Sequence, residues 1–350
     1  MTLGPRVVKT GIAVTLALYI CLYFDLTPAV FAGIAAIFTI QPSIYRTWRQ
    51  VLDQLKTNTL GALIALLALF AFGNEPIAVG VVMILVILVS LQLKMESTIS
   101  LTLVTVLAIM SAPAHEEWFF AANRFLIILI GMLSASLVNL FVLPPKYSIT
   151  YFQQTQSAFQ NLSLLMRTAI SDELTEKSFR SYKKKLEKDV NKLDELFNML
   201  NEEREKLSKV KPLNARELVI FKQMLLSTKH GIEVLDVIED HYFQSNPQDG
   251  EKERYDQHLE YLIKCHEHLL LKYEGKIKDR DEYLEDTMVE KSAQFLEQIM
   301  QQYDVEKEET LRLVVIGSSI FEYALKLERL NDLIEKYLKS KSAEKSELAQ

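Results

Sequence analysis

Cysteine is nearly absent from these 350 residues. Cys21 and Cys265 are far apart in the chain, which excludes a disulfide scaffold. Charge is scarce too, but only in the first part. Residues 1–146 hold 8 Lys/Arg and 6 Asp/Glu, whereas residues 147–350 hold 31 and 39. A nearly uncharged segment of net +2 thus precedes an acidic one of net −8, a balance that argues against a nucleic-acid partner. The second part is short of breakers instead: two prolines (Pro212, Pro247) and four glycines (Gly231, Gly250, Gly275, Gly317), so long helices are expected. Walker A, HExxH, GxSxG and CxxC patterns are all missing, so the sequence predicts no enzyme and no cofactor. His258, Cys265, His266 and His268 are the nearest approach to a metal cluster. His266 points away from the helix face that His258 and Cys265 share, whereas zinc needs three or four convergent ligands, so no metal is expected.

What the first part does have is apolar length. Its uncharged runs are Thr10–Phe24, Leu26–Tyr45, Thr57–Asn74, Pro76–Leu93, Ser97–His115 and Phe125–Pro145, between 15 and 21 residues each. A helix needs about 20 apolar residues to cross roughly 30 Å of hydrocarbon. The first run reaches that length when Val7 and Val8 are counted and Lys9 snorkels to the headgroups. The strict alternation of barrel strands is missing. Pro28, Pro42, Pro76, Pro113, Pro144 and Pro145 stand at or near the run boundaries, where proline is tolerated. The expected fold is all-α: a polytopic transmembrane bundle of about six spans in residues 1–146. A cytoplasmic antiparallel helical bundle follows in residues 147–339, then a polar, disordered tail in residues 340–350. The first span reads as a retained signal anchor, since Cys21–Thr27 offers no small-x-small cleavage site.

In the second part, Leu186, Val190, Leu193, Leu196, Phe197 and Leu200 recur at helical spacing, as do Leu311, Val314, Val315, Ser318, Phe321 and Leu325. Five or six helices are expected, over about 148–170, 173–209, 214–244, 251–274, 280–303 and 306–339, with a capping box at Asn214–Glu217.

Basic residues set the expected orientation. With six spans and the N-terminus inside, Arg6, Lys9, Arg46, Arg49, Lys56, Lys94 and Lys146 are cytoplasmic, and Arg124 alone lies near the outer side. Both termini are then cytoplasmic in a multi-pass cell-membrane protein. Arg46, Arg49, Asp53 and Lys56 share one helical face, which serves either to orient the chain against anionic lipid or to form an electropositive mouth for organic anions. Arg124 runs against the bias, and an ionisable residue within a span usually faces a cavity or partner. Small residues in Ala29–Ala36 and Gly131–Ser136 permit close helix contact.

Lys9-Thr10 entering the first span, Gln41-Pro42-Ser43 closing the second, and Lys56-Thr57-Asn58-Thr59-Leu60-Gly61 opening the third resemble the Lys-Thr, Pro-Thr/Ser and Gly-Thr-x-x-Gly signposts of the aromatic acid exporter (fusaric acid resistance-like) family. Asn58 stands where that family commonly has Gly. The long helical tail is similar to that of its half-length bacterial members. The resemblance implies a secondary transporter exporting aromatic carboxylates, with Lys9, Arg49, Lys56 and Thr59 at matching positions. With Arg46 and Arg124 added from the charge pattern, these are the candidate pathway residues. Full-length relatives carry two membrane units, which implies a homodimer here. A related plant group of malate channels implies that an organic-anion channel is the alternative transport mode. A different class also survives: a membrane-anchored scaffold or sensor whose working part is the acidic bundle.

Overall fold

A computed structural model describes residues 5–111, 117–142, 147–170, 175–207, 215–242, 249–277, 287–301 and 308–347. All regular structure among them is helical, and the chain divides into two compact units, Met1–Pro145 and Lys146–Gln350.

The first unit contains α1 (Pro5–Tyr23), α2 (Val30–Thr39), α3 (Ile44–Phe72), α4 (Pro76–Gln92), α5 (Ile99–Met110, after a 3-10 turn at Glu96–Thr98) and α6 (Glu117–Phe141). The local signals explain the boundaries. Ser43 caps α3, its hydroxyl accepting from the Arg46 N–H at 3.0 Å. Gly73 ends α3 with φ +69°, a region open to glycine, and Pro76 occupies the first turn of α4. α1, α3 and α6 are long and apolar enough to cross a membrane, while α2, α4 and α5 are shorter. The expected second span contracts most. Pro42 pushes the chain before it out of helical geometry, so α2 has 10 residues, about 15 Å of rise. The third helix starts 13 residues before its uncharged run because nothing between Ile44 and Thr57 breaks it.

Packing divides this unit into α1–α2–α6 around Ala13, Ala17, Ala32, Ala36 and Ala135, and α3–α4–α5 around Ala65, Val86 and Val106. Ala35, Val51, Leu101, Ile128 and Met132 join the two. The small-residue stretches meet each other: a Cβ on Gly131 would collide with the Ala32 carbonyl and the Ala35 methyl.

The second unit is α7 (Tyr147–Ala169), α8 (Glu176–Leu207), α9 (Ala215–His241), α10 (Asp249–Glu274), α11 (Met288–Gln301) and α12 (Glu308–Glu347). Its core unites all six, with Leu186, Val190, Leu193 and Leu200 buried as expected. Buried hydroxyls tie helices together: Tyr151 donates to the Phe221 carbonyl at 2.8 Å and Tyr255 to the Leu313 carbonyl at 2.7 Å. Two expectations are corrected. Residues 340–347 continue α12 instead of forming a disordered tail, because Lys, Ala and Glu prolong an already nucleated helix at little cost. The core face of α12 is Leu313, Ile316, Ile320, Tyr323, Leu327 and Leu330, whereas Leu311, Val315 and Leu325 are exposed. Asn214, the expected cap, lies outside the described residues. Glu217 accepts instead from the Tyr273 hydroxyl at 2.9 Å.

Candidate functional site in the membrane unit

The inward stripe of α1 is Lys9, Ala13, Ala17 and Cys21, four residues apart, so a single amine heads a row of small side chains. Lys9 is 6% exposed, and its Nζ donates to Asn139 Oδ1 on α6 at 2.9 Å. Asn139 Nδ2 in turn donates to Thr47 Oγ1 at 2.7 Å and to the carbonyls of Gln41 and Ser43, each at 3.3 Å. Two of the three signposts, Lys9-Thr10 and Gln41-Pro42-Ser43, are thus bound together through an asparagine. Nothing in the charge pattern singled out Asn139, and the one signal was a strong hydrogen-bonding side chain inside an apolar run.

α3 has two polar faces of different kind. Arg49 (side chain 67% exposed), Lys56 and Thr59 lie on the outward face, with Arg46 half-buried beside them. Arg49 pairs with Asp53 at 3.7 Å, and Thr59 turns its hydroxyl to the Leu55 carbonyl at 2.6 Å. The inward face carries neutral groups instead: Thr47, Gln50, Gln54, Thr57 and Asn58, then Gly61. Gln50 is tied to Ser97 in both directions, donating to its carbonyl at 3.3 Å and accepting from its hydroxyl at 3.0 Å. Gly61 supplies the close approach in this motif, since a Cβ there would collide with the Thr102 methyl. Asn58, the departure from the family's glycine, accepts from Thr105 Oγ1 on α5 at 2.9 Å.

Arg124 lies on the inward stripe of α6 with Ile128, Met132, Ala135 and Asn139, and is 2% exposed. Its guanidinium lies over the Phe31 ring of α2, and none of its three nitrogens has a hydrogen-bond acceptor among the described residues. Fifteen residues, or about 22 Å of helix rise, separate it from Asn139 and hence from Lys9. Of the six predicted pathway residues, Lys9 and Arg124 are therefore inside, at different levels, while Arg49, Lys56 and Thr59 face outward.

Two histidines of α10, His258 and His266, go to separate partners in the second unit. His258 Nε2 meets Ser292 Oγ at 2.9 Å and its ring stacks on Phe295, while His266 Nδ1 meets the Tyr323 hydroxyl at 2.7 Å. Burial lowers their pKa values to about 4 and about 3.

Residues 1–142 match the family model described as aromatic acid exporter family member 1. The chain is 34% identical to the UPF0421 protein YgaE of Bacillus subtilis over 337 residues, 95% of each protein. It is 33% identical to a UPF0421 protein of Halalkalibacterium halodurans over 52% of each chain, and 34% identical to one of Oceanobacillus iheyensis over 46% of each. Membership of an exporter family, with apolar helices of membrane-crossing length, marks a membrane protein of transporter type. Through the full-length match and its first 142 residues, the chain belongs to the UPF0421 proteins of the aromatic acid exporter family.

Proposed function

We propose that this protein exports organic carboxylates, aromatic ones first, across the cell membrane as a multi-pass secondary transporter. Arg124 is the residue that holds the carboxylate. The observation that carries this reading is the burial of its guanidinium without an acceptor. An unpaired buried cation is expensive, and within a span such a residue belongs to a substrate path or a partner. A carboxylate about 4 Å away gains roughly 4 kcal/mol at an effective dielectric near 20, against about 1 kcal/mol in water. Guanidinium also offers two parallel donors to the two carboxylate oxygens, which an ammonium does not.

Lys9 marks the opposite level of the path, its amine engaged by Asn139 in the resting arrangement. Arg46, Arg49, Lys56 and Thr59 act at the surface, where their charges orient the chain and raise the local anion concentration. The packed contact of Ala35, Val51, Leu101, Ile128 and Met132 favours a carrier that alternates over an open channel. Both termini are cytoplasmic on this reading. A homodimer is also part of it, because α2 and α5 are shorter than the hydrocarbon and mismatch of that kind is relieved by oligomerisation.

The test is 4-hydroxybenzoate flux in proteoliposomes. Arg124→Gln should abolish it and Arg124→Lys restore part of it, with membrane insertion unchanged. Full activity of Arg124→Gln would sink the assignment. For orientation, Ser342→Cys on the exposed end of α12 should react with an impermeant thiol reagent only after cell lysis.

A further inference from the structure

The inward polar groups of α3 are of two kinds. Those at its start are satisfied: Thr47 by Asn139, and Gln50 by Ser97 at both ends of its amide. Gln54 and Asn58, one helical turn apart and 0% and 1% exposed, are not. Each amide meets the hydroxyl of a threonine on a facing helix, whose one proton is shared with that threonine's own helix carbonyl, Ala35 at 2.7 Å and Leu101 at 3.0 Å. Thr39 Oγ1 of α2 lies 2.8 Å from Gln54 Oε1, and Thr105 Oγ1 of α5 lies 2.9 Å from Asn58 Oδ1. The amide nitrogens, Gln54 Nε2 and Asn58 Nδ2, have no acceptor among the described residues. Turning either amide over does not remove the deficit. An amide has two N–H groups and the threonine oxygen can take only one, so at least one N–H of each residue stays unpaired.

We propose that Gln54 and Asn58 form a carboxylate station inside the membrane unit, between the level of Lys9 and that of Arg124. The inference rests on the transport reading above. Along α3, Gln54 and Asn58 are about 10 and 16 Å beyond Thr47, which bonds the same Asn139 that holds Lys9. Arg124 is about 22 Å beyond Asn139 on α6, so the amides occupy the interval.

The chemistry suits an anion with two acceptor oxygens. Two donors on one helix face, one turn apart, can each take an oxygen of the same carboxylate. Neutral donors also bind an anion less tightly than a guanidinium does. A station that must release its load needs binding favourable enough to enter and weak enough to leave. Thr39 and Thr105 are positioning residues: each meets one end of an amide and so fixes the direction of its unpaired N–H.

The test uses the full chain in proteoliposomes with radiolabelled 4-hydroxybenzoate at pH 7.5, corrected for protein-free vesicles. Gln54→Glu and Asn58→Asp keep the shape but replace an N–H donor by an oxygen. Each should raise the half-saturating concentration tenfold or more, while chloride-independent leak stays at background. Gln50→Glu, at the satisfied neighbour, should leave half-saturation within threefold. Thr39→Val and Thr105→Val remove only the hydroxyls that aim the amides and should raise half-saturation three- to tenfold. They decide the matter if the acidic variants fail to fold. Wild-type half-saturation in the folded Gln54 and Asn58 variants, or in both threonine variants, overturns the station. If wild type carries no carboxylate at all, the transport reading falls with it. If wild type carries 4-hydroxybenzoate, Arg124→Gln abolishes flux and the amide variants are normal, the station alone is wrong.

Discussion

Consider Arg124→Met. The substitution keeps an unbranched side chain in the slot against Phe31 but deletes a guanidinium whose three nitrogens lack an acceptor. Leaving a charge buried and unpaired costs about 3 kcal/mol, the scale also found for Arg at the centre of a membrane helix. The contact of this desolvated guanidinium with the Phe31 ring returns about 2 kcal/mol of that, and the space left by the shorter Met costs about 1 kcal/mol. The terms cancel, so the variant should match wild type in stability within about 1 kcal/mol, a midpoint shift of no more than about 2–4 °C for a unit of this size. Flux of 4-hydroxybenzoate should fall at least tenfold, equivalent to losing about 1.4 kcal/mol of anion stabilisation. Cys21, fully buried on α1, supplies the stability readout. In a Cys265→Ser background, its reaction with a thiol-reactive dye on heating reports opening of the membrane unit. A midpoint lowered by more than about 4 °C would mean that the guanidinium stabilises the resting bundle. Wild-type flux would remove Arg124 from the pathway. Either result refutes the reasoning.

Gly131→Val should destabilise the membrane unit by about 1–3 kcal/mol in the same dye assay, because its Cβ meets the Ala32 backbone; Gly11→Val, with open space around it, is the control and should be neutral. Acid should loosen the second unit. The unfolded chain protonates its histidines below about pH 6.5, whereas native His258 and His266 hold out to about 4 and about 3. Their stabilisation is thus intact above pH 6.5 and falls by about 1.4 kcal/mol per pH unit for each as pH drops toward 4. Urea unfolding of α7–α12, followed by far-ultraviolet dichroism at pH 7 and pH 5, checks this; an unchanged midpoint would contradict it. Arg49→Gln should lower flux no more than about threefold at low salt and not at all at 0.5 M salt, since an exposed charge acts only through a screened field. A salt-independent loss would put Arg49 inside the path.

The candidate site was less legible than the elements around it. Lys9 and Arg124 were visible as charges at or within apolar runs, and both are inside. Arg46, Arg49, Asp53 and Lys56 shared one face in the sequence; Arg49 and Lys56 turn outward on it, while the neutral face turns in. Asn139, Gln54, Thr39 and Thr105 escaped notice because a lone polar residue in an apolar run does not announce its partner, which comes from a helix tens of residues away.

What the sequence determined by itself is what local chemistry controls. Helix starts and stops follow Ser43, Pro42, Gly73 and Pro76, and the change from apolar to charged composition falls where the chain divides in two. The tertiary structure alone decided which face of each helix is inside. Lipid and protein interior select the same apolar side chains, so hydropathy does not separate them. On α12, where Leu311, Leu313, Val314, Val315 and Ile316 surround the helix, spacing picks no side until α9, α10 and α11 pack against one. For Gln54, Asn58 and Arg124, the same rule means that an unfilled hydrogen bond exists only once every neighbouring helix is in place.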